Sequence, residues 1–111
     1  MEIKSRIFFA NSKIQKSFLD LEKGKYEEKE LHKQITRALC DLKKNAYIGI
    51  QIPKNLIPKE YLQKYNITNL WKYNLPNAWR LIYSVGKDDI EIISIVLEWL
   101  DHKEYERRFN Y

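Results

Sequence analysis

Apolar residues in the first half of the chain recur at helical spacing. Within the range Tyr26 to Asn45 they fall at i, i+4, i+7, i+8 and i+11, the pattern of an amphipathic helix that faces a core: Leu31, Ile35, Ala38, Leu39 and Leu42. A shorter helix is predicted before it, capped by Asn11 or Ser12 and ending at Gly24, with one apolar stripe formed by Ile14, Phe18 and Leu21. Two amphipathic helices therefore open the fold.

The second half of the chain alternates apolar and polar residues with a period of two, which indicates strands. One strand is also expected at the start of the chain, so that five segments are predicted as strands: Ile3–Phe9, Tyr47–Ile52, Leu70–Leu75, Trp79–Val85 and Ile90–Leu97. The last three are joined by short links and should pair as an antiparallel meander. The segment from Lys54 to Asn69 best fits a loop with one short helix that starts at Pro58.

This order of elements predicts an α+β fold with two layers. We expect the two N-terminal helices to pack on one face of a twisted, mainly antiparallel sheet of four to five strands, which leaves the other face free for a ligand. In the strand from Trp79 to Val85, the residues Trp79, Leu81, Tyr83 and Val85 share the core side. Arg80 then projects from the middle of a rigid strand onto the uncovered face, where a charge needs a partner or solvent.

Length and composition limit the function classes. A chain of 111 residues is predicted to be one domain, residues 1–111, and its 20 Lys and Arg against 15 Asp and Glu give a net charge of +5, which favours polyanionic partners. Cys40 is the only cysteine, so an intrachain disulfide is excluded and the chain is expected to be cytoplasmic. The Cys40 side chain is expected to be buried in its helix. We expect no signal peptide and no membrane span.

Residues with chemistry are concentrated near the C-terminus. In the tail from Trp99 to Tyr111, a helix would place His102, Tyr105 and Arg108 or Phe109 on one face, where an imidazole, a phenol and a guanidinium could move protons, stack and bind phosphate. Packing of Tyr105 and Phe109 on the core is the structural alternative. Lys72 shares the face of Arg80 if the two strands pair in the expected way.

No glycine-rich phosphate loop, HExxH motif or His/Cys ligand spacing is present, so we expect neither a metal nor a cofactor. RNA supplies its own nucleophile in the 2′-hydroxyl group. Its cleavage needs in-line positioning, a group that takes the proton, cations for the developing charge and an acid for the leaving oxygen. Lys, Arg, His and Tyr can fill those roles.

The chain resembles the RelE/ParE toxins of type II toxin-antitoxin systems. The resemblance rests on the strand-helix-helix-meander order, on the arginine inside WRLIY (Trp79 to Tyr83), on a lysine in the preceding strand, and on the HKEY tail. It spans nearly the whole chain. Lys103 stands where relatives often have arginine, Asn74 stands where some have a second lysine, and the segment from Lys54 to Asn69 is longer than in compact members.

The resemblance implies an endoribonuclease that cleaves mRNA, on the ribosome or free, and a cognate antitoxin that forms a hetero-oligomer with the toxin. By position, Lys72 resembles the lysine proposed as base or stabiliser, and Arg80 the arginine that holds the scissile phosphate. His102 matches the tail histidine, and Tyr105 the tyrosine that stacks on or protonates the substrate. Four further cations are expected to contact the substrate: Lys54, Lys103, Arg107 and Arg108.

Two other readings of the same fold stay open. ParE-type relatives act on DNA gyrase and generally lack the tail chemistry, so that His102 and Tyr105 favour RNA. A non-catalytic member would bind only RNA or an antitoxin, and its binding would depend steeply on salt.

Overall fold

The computed structural model describes residues 2–88 and 91–109 and confirms the α+β class. Its elements follow in the order β1 (Arg6–Phe9), α1 (Ser12–Leu21), α2 (Tyr26–Lys44), β2 (Ile50–Gln51), α3 (Lys59–Lys64), β3 (Trp71–Asn74), β4 (Arg80–Lys87), β5 (Ile92–Leu100) and α4 (His102–Phe109). Short 3₁₀ turns lie at Lys54–Leu56 and Pro76–Ala78. None of the helices in the described part of the chain is long and apolar enough to cross a membrane.

The five strands form one mixed sheet in the order β1-β5-β4-β3-β2. β1 runs parallel to β5, and the other neighbours are antiparallel, as the predicted meander requires. The register pairs Lys72 with Ile82 and Asn74 with Arg80. Since directly paired residues share a face, Lys72 and Arg80 point to the same side of the sheet.

The main core lies between the sheet and the two N-terminal helices. The α2 residues Leu31, Ile35, Ala38 and Leu42 are buried against Leu81, Tyr83 and Val85 of β4, and Phe18 and Leu21 of α1 pack at its margin. The predicted helical stripe and the inward set of the strand from Trp79 to Val85 are both confirmed. Leu39 is only partly buried.

The expectation that the other face of the sheet is free is wrong. A second apolar cluster covers much of it, because α3, α4 and the connection before β3 pack on β4 and β5. Its buried residues are Ile52, Ile57, Tyr61, Leu70, Ile82, Leu97, Leu100, Tyr105 and Phe109. Helix α4 reaches this face because β5 ends at Leu100 and the chain turns back at once. Lys72 and Arg80 therefore lie on a face that is already partly covered.

Some predicted boundaries also change. The strand expected over Tyr47–Ile52 is only Ile50–Gln51, because Asn45 and the residues after it form a turn in which the Asn45 side chain accepts a hydrogen bond from the Tyr47 N–H. The last strand continues to Leu100 and not to Leu97. Cys40 is exposed on α2, contrary to expectation. Ile90, where the last predicted strand begins, and Tyr111, where the predicted tail ends, lie outside the described residues.

Candidate phosphate-binding site

Lys72 and Arg80 are brought together by strand pairing. Lys72 lies in β3 opposite Ile82, and Arg80 is two residues before Ile82 in β4, so the two cations are diagonal neighbours about 7–8 Å apart at the backbone. The sequence had suggested that Arg80 lies in the middle of its strand. In the structure it is the first residue of β4. The predicted convergence of the two cations on one face is confirmed.

The ring of Tyr105 lies against both cations. The Lys72 Nζ atom is 4.9 Å from the ring centroid and the Arg80 Cζ atom is 5.2 Å from it, within the range of cation–π attraction. Lys72 Nζ also donates a hydrogen bond of 2.9 Å to the Tyr105 hydroxyl oxygen. The aromatic ring thus holds two like charges side by side, although they would otherwise repel each other.

Burial decides what Tyr105 can do. Its relative exposure is 2%, and its ring stacks on Phe109 at 4.6 Å between centroids. A base cannot stack on a ring that is already covered. The alternative in which Tyr105 and Phe109 pack on the core is therefore confirmed, and Tyr105 is a positioning residue for the two cations in this conformation.

Arg80 makes few polar contacts with the residues that the structure describes. Its Nη1 atom makes one long contact of 3.4 Å with the Trp79 carbonyl oxygen, and its Nε atom is buried with no partner. Among residues 2–88 and 91–109, no carboxylate lies within ion-pair distance of Arg80 or Lys72. An unpaired guanidinium beside an ammonium group fits a phosphate oxygen well.

Helix α4 is fixed by a clamp that the sequence did not reveal. Arg108 donates to the Glu98 carboxylate at 2.8 Å, lies 3.3 Å from the Glu60 carboxylate, and covers the ring of Tyr61 at 5.7 Å. Burial lowers the pKa of Arg108, but Glu98, Tyr61 and Glu60 outweigh that effect and raise the pKa above its ordinary value. Burial also raises the pKa of the Tyr61 hydroxyl. Arg108 is thus engaged in the structure and is not a free cation for substrate.

The N-terminus of α4 carries a capping signal that the sequence does show. Asp101 precedes the helix, and its carboxylate accepts a hydrogen bond of 2.8 Å from the Glu104 N–H. Aspartate followed three residues later by glutamate is typical of helix starts. Recognition of this cap would have set the first helical residue at His102.

The structure does not bring His102 into the group formed by Lys72, Arg80 and Tyr105. Its side chain is 58% exposed, and its Nε2 atom pairs with the Glu106 carboxylate one turn further along α4. The remaining predicted substrate cations are exposed: Lys54 on a 3₁₀ turn, and Lys103 and Arg107 on α4. Arg107 contacts Glu104 at 3.6 Å.

No cluster of three or more His, Cys, Asp or Glu side chains arranged to hold a metal ion occurs among the described residues. A scan of protein-family models, a search of curated proteins and a search of solved structures found no match to this chain. The case for a function consequently depends on the geometry of the site and on the resemblance in its motifs.

Proposed function

We propose that this chain is a RelE-like toxin of a type II toxin-antitoxin system that cleaves mRNA, on the ribosome or free, without a metal. The observation that carries the proposal is the pair Lys72 and Arg80, held side by side against the buried ring of Tyr105 with no carboxylate partner among the described residues. A partly buried pair of cations attracts the phosphodiester group, and a fixed pair stabilises charge that develops on it.

The proposed reaction uses the 2′-hydroxyl group of the substrate. Its oxygen attacks the adjacent phosphorus atom, its proton passes to a base, the bond from phosphorus to the 5′-oxygen breaks, and that oxygen takes up a proton. The products are a 2′,3′-cyclic phosphate and a 5′-hydroxyl end. Arg80 binds the phosphate oxygens and Lys72 neutralises the developing charge. The resemblance assigns proton transfer to His102, which lies outside the group formed by Lys72, Arg80 and Tyr105 in this structure and is paired with Glu106.

The architecture is compatible with this proposal. A strand, two helices and a meander follow in the order that the resemblance implies, with the WRLIY arginine and the strand lysine on one face. The net charge of +5 favours RNA and an acidic antitoxin as partners.

Arg80→Ala tests the proposal, with Arg37→Ala as a matched control that removes the same charge from the exposed side of α2. Purified protein, with and without translating ribosomes, is incubated with RNA in EDTA, and the ends are mapped. Loss of one preorganised cation is expected to slow cleavage by about 10²- to 10³-fold, whereas the control keeps its rate. Equal cleavage by the Arg80→Ala variant would remove the mechanism.

One feature favours a non-catalytic member of the fold as a second candidate. His102 pairs with Glu106, and Tyr105 is buried, so the tail does not present an assembled acid and base. Such a protein would bind RNA or an antitoxin with a steep salt dependence that His102→Ala leaves unchanged. Absence of a cyclic phosphate product with ribosomes present would favour the non-catalytic member. Inhibition of DNA supercoiling at concentrations that leave RNA intact would instead favour gyrase as the target.

A further inference from the structure

A protein that binds single-stranded RNA usually offers an exposed aromatic side chain on which a base can stack. Tyr105 cannot do so, because it is buried. Of the aromatic residues within 2–88 and 91–109, three are exposed: Phe8, Tyr26 and Tyr47. A stacking residue must also lie where an RNA strand bound at the cation pair could reach it.

Position and charge separate the three. Phe8 lies in β1 at the opposite edge of the sheet, and the Arg6 guanidinium already covers its ring at 5.1 Å. Tyr26 opens α2 next to the carboxylates of Glu27 and Glu30, which repel a phosphate backbone.

Tyr47 lies at the edge of the sheet where β2 pairs with β3. Its ring centroid is 5.2 Å from that of Trp71, the residue before Lys72, and the two planes are tilted by 37°. Trp71 is held in turn by stacking on Tyr83 at 6.2 Å. Tyr47 is therefore a half-exposed ring that packs on a fixed tryptophan, and that tryptophan precedes Lys72 in β3 and points to the opposite face of the sheet.

The two rings open onto a cleft of about 350 Å³, which is lined by Tyr47, Gln51, Asn69, Trp71 and Val85. The amide group of Asn69 is committed to the Val85 backbone, as acceptor from its N–H at 2.9 Å and as donor to its carbonyl oxygen at 2.7 Å. Gln51 pairs with Trp71 in register, is exposed, and its side chain makes no hydrogen bond with the residues that the structure describes. The cleft thus offers aromatic walls and one available amide.

We propose that this cleft is a base-binding subsite for single-stranded RNA, in which a base stacks on Tyr47 beside Trp71 and the Gln51 amide hydrogen-bonds its edge. The subsite rests on the proposed function, because it would bind the same RNA strand as the cation pair. Trp71 and Lys72 point to opposite faces of the sheet, so the strand would have to pass around the edge strand β2, which has only two residues, between the cleft and the cation pair. The positive net charge favours RNA over an apolar protein segment.

The test measures binding without cleavage. The probe is a fluorescein-labelled 2′-O-methyl oligonucleotide of mixed sequence, which lacks the attacking hydroxyl, and binding is followed by fluorescence anisotropy in EDTA. Tyr47→Ala is expected to weaken binding by about fivefold to a hundredfold, the range for loss of one stacked base. Tyr47→Phe keeps the ring and is expected to bind as the unsubstituted protein does. Tyr26→Ala, which removes an equally large exposed ring, is the control and should leave binding unchanged.

An equal loss of binding in Tyr26→Ala and Tyr47→Ala would overturn the subsite, as would unchanged binding in a folded Tyr47→Ala variant. Should that variant not fold, the unsubstituted chain can be photo-crosslinked to a 4-thiouridine oligonucleotide. A crosslink at Tyr47 or Trp71 supports the subsite, and crosslinks confined to other residues overturn it. Self-association that depends on Tyr47, with RNA binding independent of it, would assign the cleft to a second copy of the chain and also overturn it.

The subsite and the nuclease can fail separately. Binding that depends on Tyr47 in a protein that never cleaves RNA would keep the subsite and remove the nuclease. Cleavage that depends on Arg80, with probe binding indifferent to Tyr47, would keep the nuclease and remove the subsite.

Discussion

Replacement of Tyr105 by phenylalanine separates two roles that a tyrosine can have at this site. In the structure its hydroxyl accepts a hydrogen bond of 2.9 Å from Lys72, while its ring contacts both Lys72 and Arg80. Tyr105→Phe removes the hydroxyl and keeps the ring. If Tyr105 positions the cations through its ring, most of the proposed cleavage activity should remain.

The stability change follows from the geometry. A hydrogen bond from a charged donor contributes about 1.5–3 kcal/mol, and we take the lower end, about 1.5 kcal/mol, because Lys72 is only half-buried. For a domain of this size that corresponds to a fall of about 6 °C in Tm. Tyr105→Leu also removes the ring, its contacts with both cations and its stacking on Phe109, and should cost about 3 kcal/mol or more.

The assay compares the two variants by thermal unfolding and by RNA cleavage at a temperature at which both are folded. Tyr105→Phe is expected to cleave within about tenfold of the unsubstituted protein, and Tyr105→Leu to be much slower because the cations lose their support. A phenol that protonates the leaving oxygen would instead contribute about 10²- to 10⁴-fold. A loss of a hundredfold or more in folded Tyr105→Phe would refute the positioning role.

Three further predictions concern stability. Gly49→Ala should lower the free energy of unfolding, measured in urea, by about 1–3 kcal/mol, because the added Cβ atom would lie 2.5 Å from the Tyr83 hydroxyl oxygen and 2.6 Å from the Lys72 carbonyl oxygen. Gly86→Ala is the control and should cost much less, because its Cβ atom would meet only the Ile93 side chain, at 3.6 Å. Burial raises the pKa of Tyr73 and of Tyr83 to about 12. The folded state therefore keeps protons that the unfolded chain loses from about pH 10, and the free energy of unfolding should fall between about pH 10 and 12. Tyr83→Phe should remove part of that fall, and an unchanged pH profile would contradict the assignment. Arg108→Ala should increase amide exchange in α4 before other elements open, and uniform exchange would refute the clamp.

Local patterns in the sequence determined the elements and their inward faces. The stripe of α2 and the alternation in β4 are consequences of helical and strand periodicity, which depend on residues within a few positions of each other. Alternation alone left open whether Lys72 and Arg80 share a face, because that depends on the register between β3 and β4, which the structure supplies. Shorter elements were less well defined, since the two residues of β2 carry too little pattern to distinguish them from the turn before them.

The contacts that make the site are between residues far apart in the chain. Lys72 and Tyr105 are 33 positions apart, and no local pattern in either segment states that they meet. The same holds for the clamp between Arg108 and Glu60, which depends on how α3 and α4 lie on the sheet.

The sequence by itself determined the α+β class, the helical stripe, the placement of Arg80 on the side of the sheet opposite the two N-terminal helices, and the basic charge of the chain. Tertiary structure alone decided that α4 folds back over the second face, buries Tyr105 beneath the two cations, and leaves His102 paired with Glu106 at the surface. The physical reason is that periodicity shows which face of an element is apolar, whereas the partner that covers that face is chosen by packing across the whole chain.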